Sequence, residues 1–196
     1  MSHFALAVNT APAAEPISTA DAKLHLRVDV SDDDDYIDAL VSAARKRLEQ
    51  EAGVALITQT LEMHLDAFPA DGGAITVLRP PLQDVSSITY IDSNGDEQTW
   101  SSDDYRVDTK SWPGRITPAY NEVYPTTREI TGAVTITFLA GYGAAGSAVP
   151  QDLIHALKML IGHWYENRED VITGTITSKV PKAFDWLIAP YKVYRI

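Results

Sequence analysis

The stretch "HWYENRED", His163 to Asp170, gathers a histidine, an arginine, two glutamates and an aspartate around a tryptophan and a tyrosine. Residues of these types could carry general acid–base chemistry if two of them met on one substrate atom. Their spacing does not bring that about. On a helix Glu166 and Arg168 point in different directions, whereas Tyr165 and Glu169, four apart, share a face. Leu153, Leu157, Leu160, Ile161 and Trp164 form one apolar stripe that runs straight into the stretch. The spacing therefore predicts the last turns of a packed helix, with Trp164 in the core. Trp164, Tyr165, Glu166 and Arg168 are expected at a subunit or helix-bundle contact.

Other candidates for chemistry fail on spacing. The histidines His3, His25, His64, His155 and His163 form no HExxH or HxH pair. His155 and His163 would stand about 12 Å apart along one helix, too far to share a metal. Asp32 to Asp35 lack the alternating ligands of a calcium loop and suit the positive end of a helix macrodipole. "DSNGDE", 92 to 97, lacks the following glutamate of such a loop and reads as a hairpin turn, with Asn94 and Gly95 at the two positive-φ positions of type I′. There is no GxSxG elbow, and "GYGAAGS" lacks the Lys-Ser/Thr ending of a phosphate-binding loop. With no cysteine in the chain, thiolate ligands, cysteine nucleophiles and disulfides are excluded. No catalytic residue, metal or cofactor is expected.

The elements around these residues follow from periodicity. Ser18 reads as an N-cap, with Asp21 in the capping-box position of a helix over about 19 to 27. A second helix follows Ser31, the expected cap, with Asp32 to Asp35 in its first turn. Ile37, Leu40, Val41, Ala44 and Leu48 make its apolar stripe, Arg45 to Arg47 lie towards its negative end, and Gly53 stands at C′. From about 56 to 140 the period becomes two. Leu61, Met63 and Leu65 alternate with Thr60, Glu62 and His64, and short strands are punctuated by Pro, Gly, Asn and Asp. Helical spacing returns after Pro150, expected in a first turn. A last short helix over about 181 to 189 carries Phe184, Leu187 and Ile188 on one side and is ended by Pro190.

The order predicts an α+β fold in a single domain. A small helical bundle is formed by the N- and C-terminal helices (17–54 and 150–190), with a β-rich insertion (55–145) between helices two and three. An extended arm (1–16) precedes it and a C-terminal tail (191–196) follows it.

Composition narrows the function. At 196 residues with 45% hydrophobic side chains the chain can bury a core. Its net charge of −11 argues against nucleic-acid binding by phosphate neutralisation. No run approaches the roughly 18 apolar residues of a membrane span, and the opening residues lack the basic region of a signal peptide, so a soluble chain is expected.

The ordered set "EPISTADAKLHLRVD", "DDDDYIDALVSAARKRLEQEAGVALITQT", "LRPPLQDVSSITYID", "YRVD", "AVTITFLAGYG" and "VPQDLIHALKMLIGHWYENRE" covers nearly the whole chain. It resembles the head–tail connector (adaptor, or head-completion) proteins of long-tailed phages and gene transfer agents. The resemblance implies a structural adaptor of the virion neck, assembled in the bacterial host cytoplasm. It implies a homo-oligomeric ring, typically of about twelve copies, that sits on the portal protein, extends the DNA channel and docks the downstream neck or stopper protein. DNA would pass through without specific binding, since twelve such chains carry roughly −130 charges, and no membrane is involved. The tail Tyr191, Lys192, Val193, Tyr194, Arg195 and Ile196 matches the segment that reaches toward the portal. There it could add main-chain hydrogen bonds to a partner's edge while Val193 and Ile196 fill pockets. A stopper or tail-completion protein is the alternative within the neck and tail. A small enzyme or ligand-binding module is the alternative outside it, disfavoured by the lack of convergent polar groups.

Overall fold

The computed structural model describes residues 4–168 and 182–193. Among them, helix α1 (Thr19–Leu26) starts at Ser18, whose hydroxyl accepts the Asp21 N–H at 3.0 Å, and ends on Arg27 in the left-handed conformation. Helix α2 (Asp34–Ala52) buries the expected stripe of Ile37, Leu40, Val41, Ala44 and Leu48 and closes on Gly53 at φ 71°. Its start differs from expectation. Ser31 gives only its carbonyl, to the Asp34 N–H, and Asp33 is the N-cap with its carboxylate turned elsewhere. Helix α3 (Gln151–Glu166) begins after Pro150, which takes the extended N-cap position (φ −52°, ψ 138°) rather than the first turn. Helix α4 (Lys182–Ile188) buries Phe184 and Ile188, leaves Leu187 half-buried, and runs into a 3-10 turn over Ala189–Tyr191 that contains Pro190.

The eight strands among the described residues all pair antiparallel. Strand β1 (Phe4–Thr10) is a correction to the sequence reading: the expected arm is hydrogen-bonded along β2 (Gln59–Leu65), with Leu6 opposite Met63, so its backbone groups are paired rather than free. With β4 (Leu82–Ile91), β5 (Glu97–Thr99) and β8 (Val134–Ala140) these form a five-stranded sheet in the order β1-β2-β8-β4-β5. The register puts Leu61 opposite Phe138, and both Met63 and Ile88 opposite Ile136, so the alternation of each sequence buries one common face. A smaller sheet orders β3 (Ile75–Thr76), β7 (Arg115–Pro118) and β6 (Tyr105–Asp108). Phe68, Trp100 and Tyr124 pack ring to ring at 5.1–5.4 Å beside them.

The β4–β5 turn is not type I′. Only Gly95 has positive φ, and one Asp92 carboxylate oxygen accepts the N–H groups of Asn94, Gly95 and Asp96 at 2.9–3.0 Å. An Asx-type turn with glycine at the left-handed position serves the same hairpin.

The chain divides into two compact units, Met1–Ala13 with Thr58–Tyr142, and Ala14–Ile57 with Gly143–Ile196. The first holds all the strands. The second holds the helices, where α3 packs against α1, α2 and α4 and α1 also packs on α2. The fold is α+β.

Within the helical unit Arg45, one of the basic residues towards the negative end of α2, is only 7% exposed. Its guanidinium bonds Glu15 at 2.7 Å and Glu49 at 3.1 Å, while the other Glu49 oxygen accepts the Leu56 N–H at 2.9 Å. Burial works against the Arg45 charge, but the Glu15 bond and the two carboxylates leave its pKa raised. Arg45→Ala strands Glu49 in the interior and should destabilise the protein by about 3 kcal/mol, read from chemical denaturation. Gly146, in a short 3-10 turn, faces the Pro16 carbonyl where a β-carbon would collide with backbone. Gly146→Ala should cost about 1–3 kcal/mol in the same measurement.

Candidate functional site

Two places where the helical unit ends bring the candidate residues together. The first is the C-terminus of α3. Asn167 closes the helix, donating its backbone N–H and its side-chain amide to the His163 carbonyl at 3.1 and 2.8 Å. The chain then turns so that the Arg168 guanidinium faces the Tyr36 ring at 4.7 Å and the Tyr165 ring at 5.0 Å. Arg168 Nη2 bonds one Asp33 carboxylate oxygen at 2.8 Å, and the Tyr165 hydroxyl donates to the same oxygen at 2.6 Å. The Asp33 carboxylate left unused by the α2 cap is thus the anchor for the end of α3. Trp164, expected in the core, is half-buried, because its turn of α3 already lies at the rim. Glu166 is exposed.

The electrostatics of this cluster suit fastening rather than proton transfer. The Tyr165 and Arg168 bonds hold the Asp33 carboxyl below its usual range, and that carboxylate in turn raises Tyr165 and Arg168. Each pKa is moved further from 7, whereas that of a general acid or base is poised near the working pH.

The second place is the root of the C-terminal tail. The Val193 N–H donates to the Ala52 carbonyl at 2.9 Å, Lys192 Nζ lies 3.5 Å from Glu51, and the Tyr191 hydroxyl lies 3.4 Å from Asp152. Val193 lies against Gly53 of its own chain, its Cβ 3.4 Å from where a β-carbon there would stand. Tyr191, Lys192 and Val193 are therefore half-buried on α2 and α3, while Tyr194, Arg195 and Ile196 lie outside the described residues, as do Glu169 and Asp170.

Sequence reasoning missed Asp33 and Tyr36 as partners of Arg168, and the end of α2 as the support of the tail. Asp33 was visible only as one of four consecutive aspartates, and nothing local marks which of them meets a residue 135 positions away. His3 lies outside the described residues, and the other described histidines converge on no ligand set. His25 lies beside Lys158 and His155, and burial followed by those two neighbours lowers its pKa. His64 Nδ1 lies 3.1 Å from the Thr135 hydroxyl across the sheet. Among the described residues no group of three or more acidic or histidine side chains could hold a metal, and no helix is long and apolar enough to cross a membrane.

Among the described residues these polar side chains converge on helix ends and turns. The chain belongs to the head completion protein family, whose model matches residues 15–183. It is similar, at 26% identity and TM-score 0.80, to a chain in the virion of a native gene transfer agent (GTA) particle, over 97% of this chain and 96% of that one. A chain in the neck of an empty GTA particle computed with C6 symmetry is 26% identical over 98% of this chain and 97% of that one, with TM-score 0.80. One in the neck of a native GTA particle computed with C12 symmetry is 27% identical over 97% of each, with TM-score 0.70. No curated protein matches.

The Asp33 cluster generates a pH prediction. Its carboxyl is depressed below its ordinary value of 3.8 by the Tyr165 and Arg168 hydrogen bonds. The stability it contributes is present above pH 3.8 and is lost as pH falls through the lowered value. Asp33→Asn should flatten the decline of Tm with acid below pH 4, and Arg168→Ala should lower Tm by no more than about 3 °C, less in high salt.

Proposed function

We propose that this chain is a structural adaptor of the virion neck and not an enzyme. In this reading copies of it form a ring, about twelve-fold, on the portal protein. The ring prolongs the DNA channel and presents the surface on which the next head–tail joining protein docks. The helices make a small bundle that forms the ring body, and the C-terminal tail, Tyr191 to Ile196, reaches the portal. Trp164, Tyr165, Glu166 and Arg168 belong to the contact region of that bundle. Assembly takes place in the bacterial host cytoplasm.

The observation that carries this reading is the near full-length likeness, 97% of each chain, to a protein in a GTA neck computed with C12 symmetry, within a family matched over residues 15–183. Charge supports it. At −11 per chain, a ring would repel DNA from its walls at short range and let it slide rather than bind. Within the tail, Lys192 and Val193 also touch their own chain, through Glu51 and the Ala52 carbonyl.

The test is electron microscopy of the purified chain mixed with portal rings from the same particle. An added ring of density on one face of the portal is expected, and the same mixture with a chain ending at Val193 should leave most portals bare. Portals that stay bare with the full-length chain would remove the adaptor reading.

A further inference from the structure

We propose that the C-terminal end of α2 is a positioning seat for the tail, fixing where its root, Lys192 and Val193, stands on the helical unit. The inference rests on the tail being the portal contact. It goes further in naming the residues that make that contact efficient: Ala52 and Gly53 of α2's end, Glu51, and Lys192 and Val193 of the tail.

The last carbonyls of a helix have no intrahelical partner and must find one elsewhere. At α2 the Gly53 N–H returns to the Glu49 carbonyl at 3.0 Å, a helical closure that leaves the Ala52 carbonyl for another donor. That donor is the Val193 N–H, 2.9 Å away and 141 residues further along the chain. The tail thus completes a helix end that solvent could have completed, and it does so with main chain, which fixes its path as well as its position.

Three further features converge on the same spot. Gly53 holds φ 71°, a conformation that favours glycine, and Val193 packs over it, its Cβ 3.4 Å from where a β-carbon would stand. Lys192 places its ammonium 3.5 Å from Glu51 and at the negative end of the α2 dipole, where a cation is favoured. Tyr191 lies on the neighbouring helix, its hydroxyl beside Asp152, and burial with that carboxylate raises its pKa. Together they hold the tail's root in both α2 and α3 before any partner arrives. A segment already ordered at its root loses less conformational entropy on docking, so the seat should raise affinity without touching the partner.

Val193→Pro removes the N–H while keeping an apolar side chain. Lys192 already has the extended geometry (φ −62°, ψ 127°) that a following proline favours. Attachment to immobilised portal rings is compared for the wild type, Val193→Pro and a chain ending at Val193, with Tm recorded for each. The seat predicts that Val193→Pro weakens attachment about tenfold or more while Tm stays within about 2 °C of wild type. Wild-type attachment by Val193→Pro, alongside weakened attachment by the truncated chain, overturns the seat and leaves the tail reading standing. Undiminished attachment by the truncated chain overturns the tail reading itself. Should Val193→Pro fail to fold, amide hydrogen exchange on the wild-type chain decides. A Val193 N–H slowed at least about tenfold relative to an unstructured peptide supports the seat, and one that exchanges freely overturns it.

Discussion

The helical unit depends on the buried bonding of Arg45 to Glu15 and Glu49. One guanidinium joins the segment before α1 to the middle of α2, and Glu49 then passes the connection to the Leu56 backbone in the turn that follows. A charge so little exposed is tolerated only because each partner is satisfied, and removing any one leaves another stranded. The apolar stripe of α2 supplies the driving force for packing, but it is non-directional. The ion pairs set where the chain enters and leaves the helix. They thereby set where Ala52 and Gly53 point, and with them the place at which the tail is received.

The two ends of α2 show one economy in different ways. At its start the N-cap carboxylate of Asp33 is not used on its own helix and receives Tyr165 and Arg168 from the end of α3. At its finish the Ala52 carbonyl receives Val193. In both cases a group that a helix terminus leaves available becomes a tie to a distant part of the chain.

Much of the fold was legible in the sequence, and the parts that were not share a cause. The stripe Ile37–Leu40–Val41–Ala44–Leu48, the Gly53 cap and the alternation of β2 and β8 are local patterns, and the structure follows them. The edge strand β1 was not legible because Phe4–Thr10 has weak alternation and its partners on β2 lie fifty or more residues away. The type I′ turn at Asn94-Gly95 was displaced by the Asp92 carboxylate, a side-chain competitor that dipeptide rules ignore. Arg45 looked like one of three basic residues at a helix end, and only its helical phase beside Ala44 and Leu48 hints at burial.

The candidate residues divide in the same way. That "HWYENRED" ends a packing helix was readable from spacing. That Arg168 would stack on Tyr36 and Tyr165, and that Trp164 would stop at the rim, depended on long-range placement. The tail residues carried no local sign of their support on α2, since the hydrogen bond that seats them joins positions 52 and 193. The structural role in the neck is measured most directly by counting the chains on one portal. Native mass measurement of the portal complex should give about twelve bound copies, in keeping with the C12 neck of the related particle. A single bound copy, or none, would contradict a ring-forming adaptor.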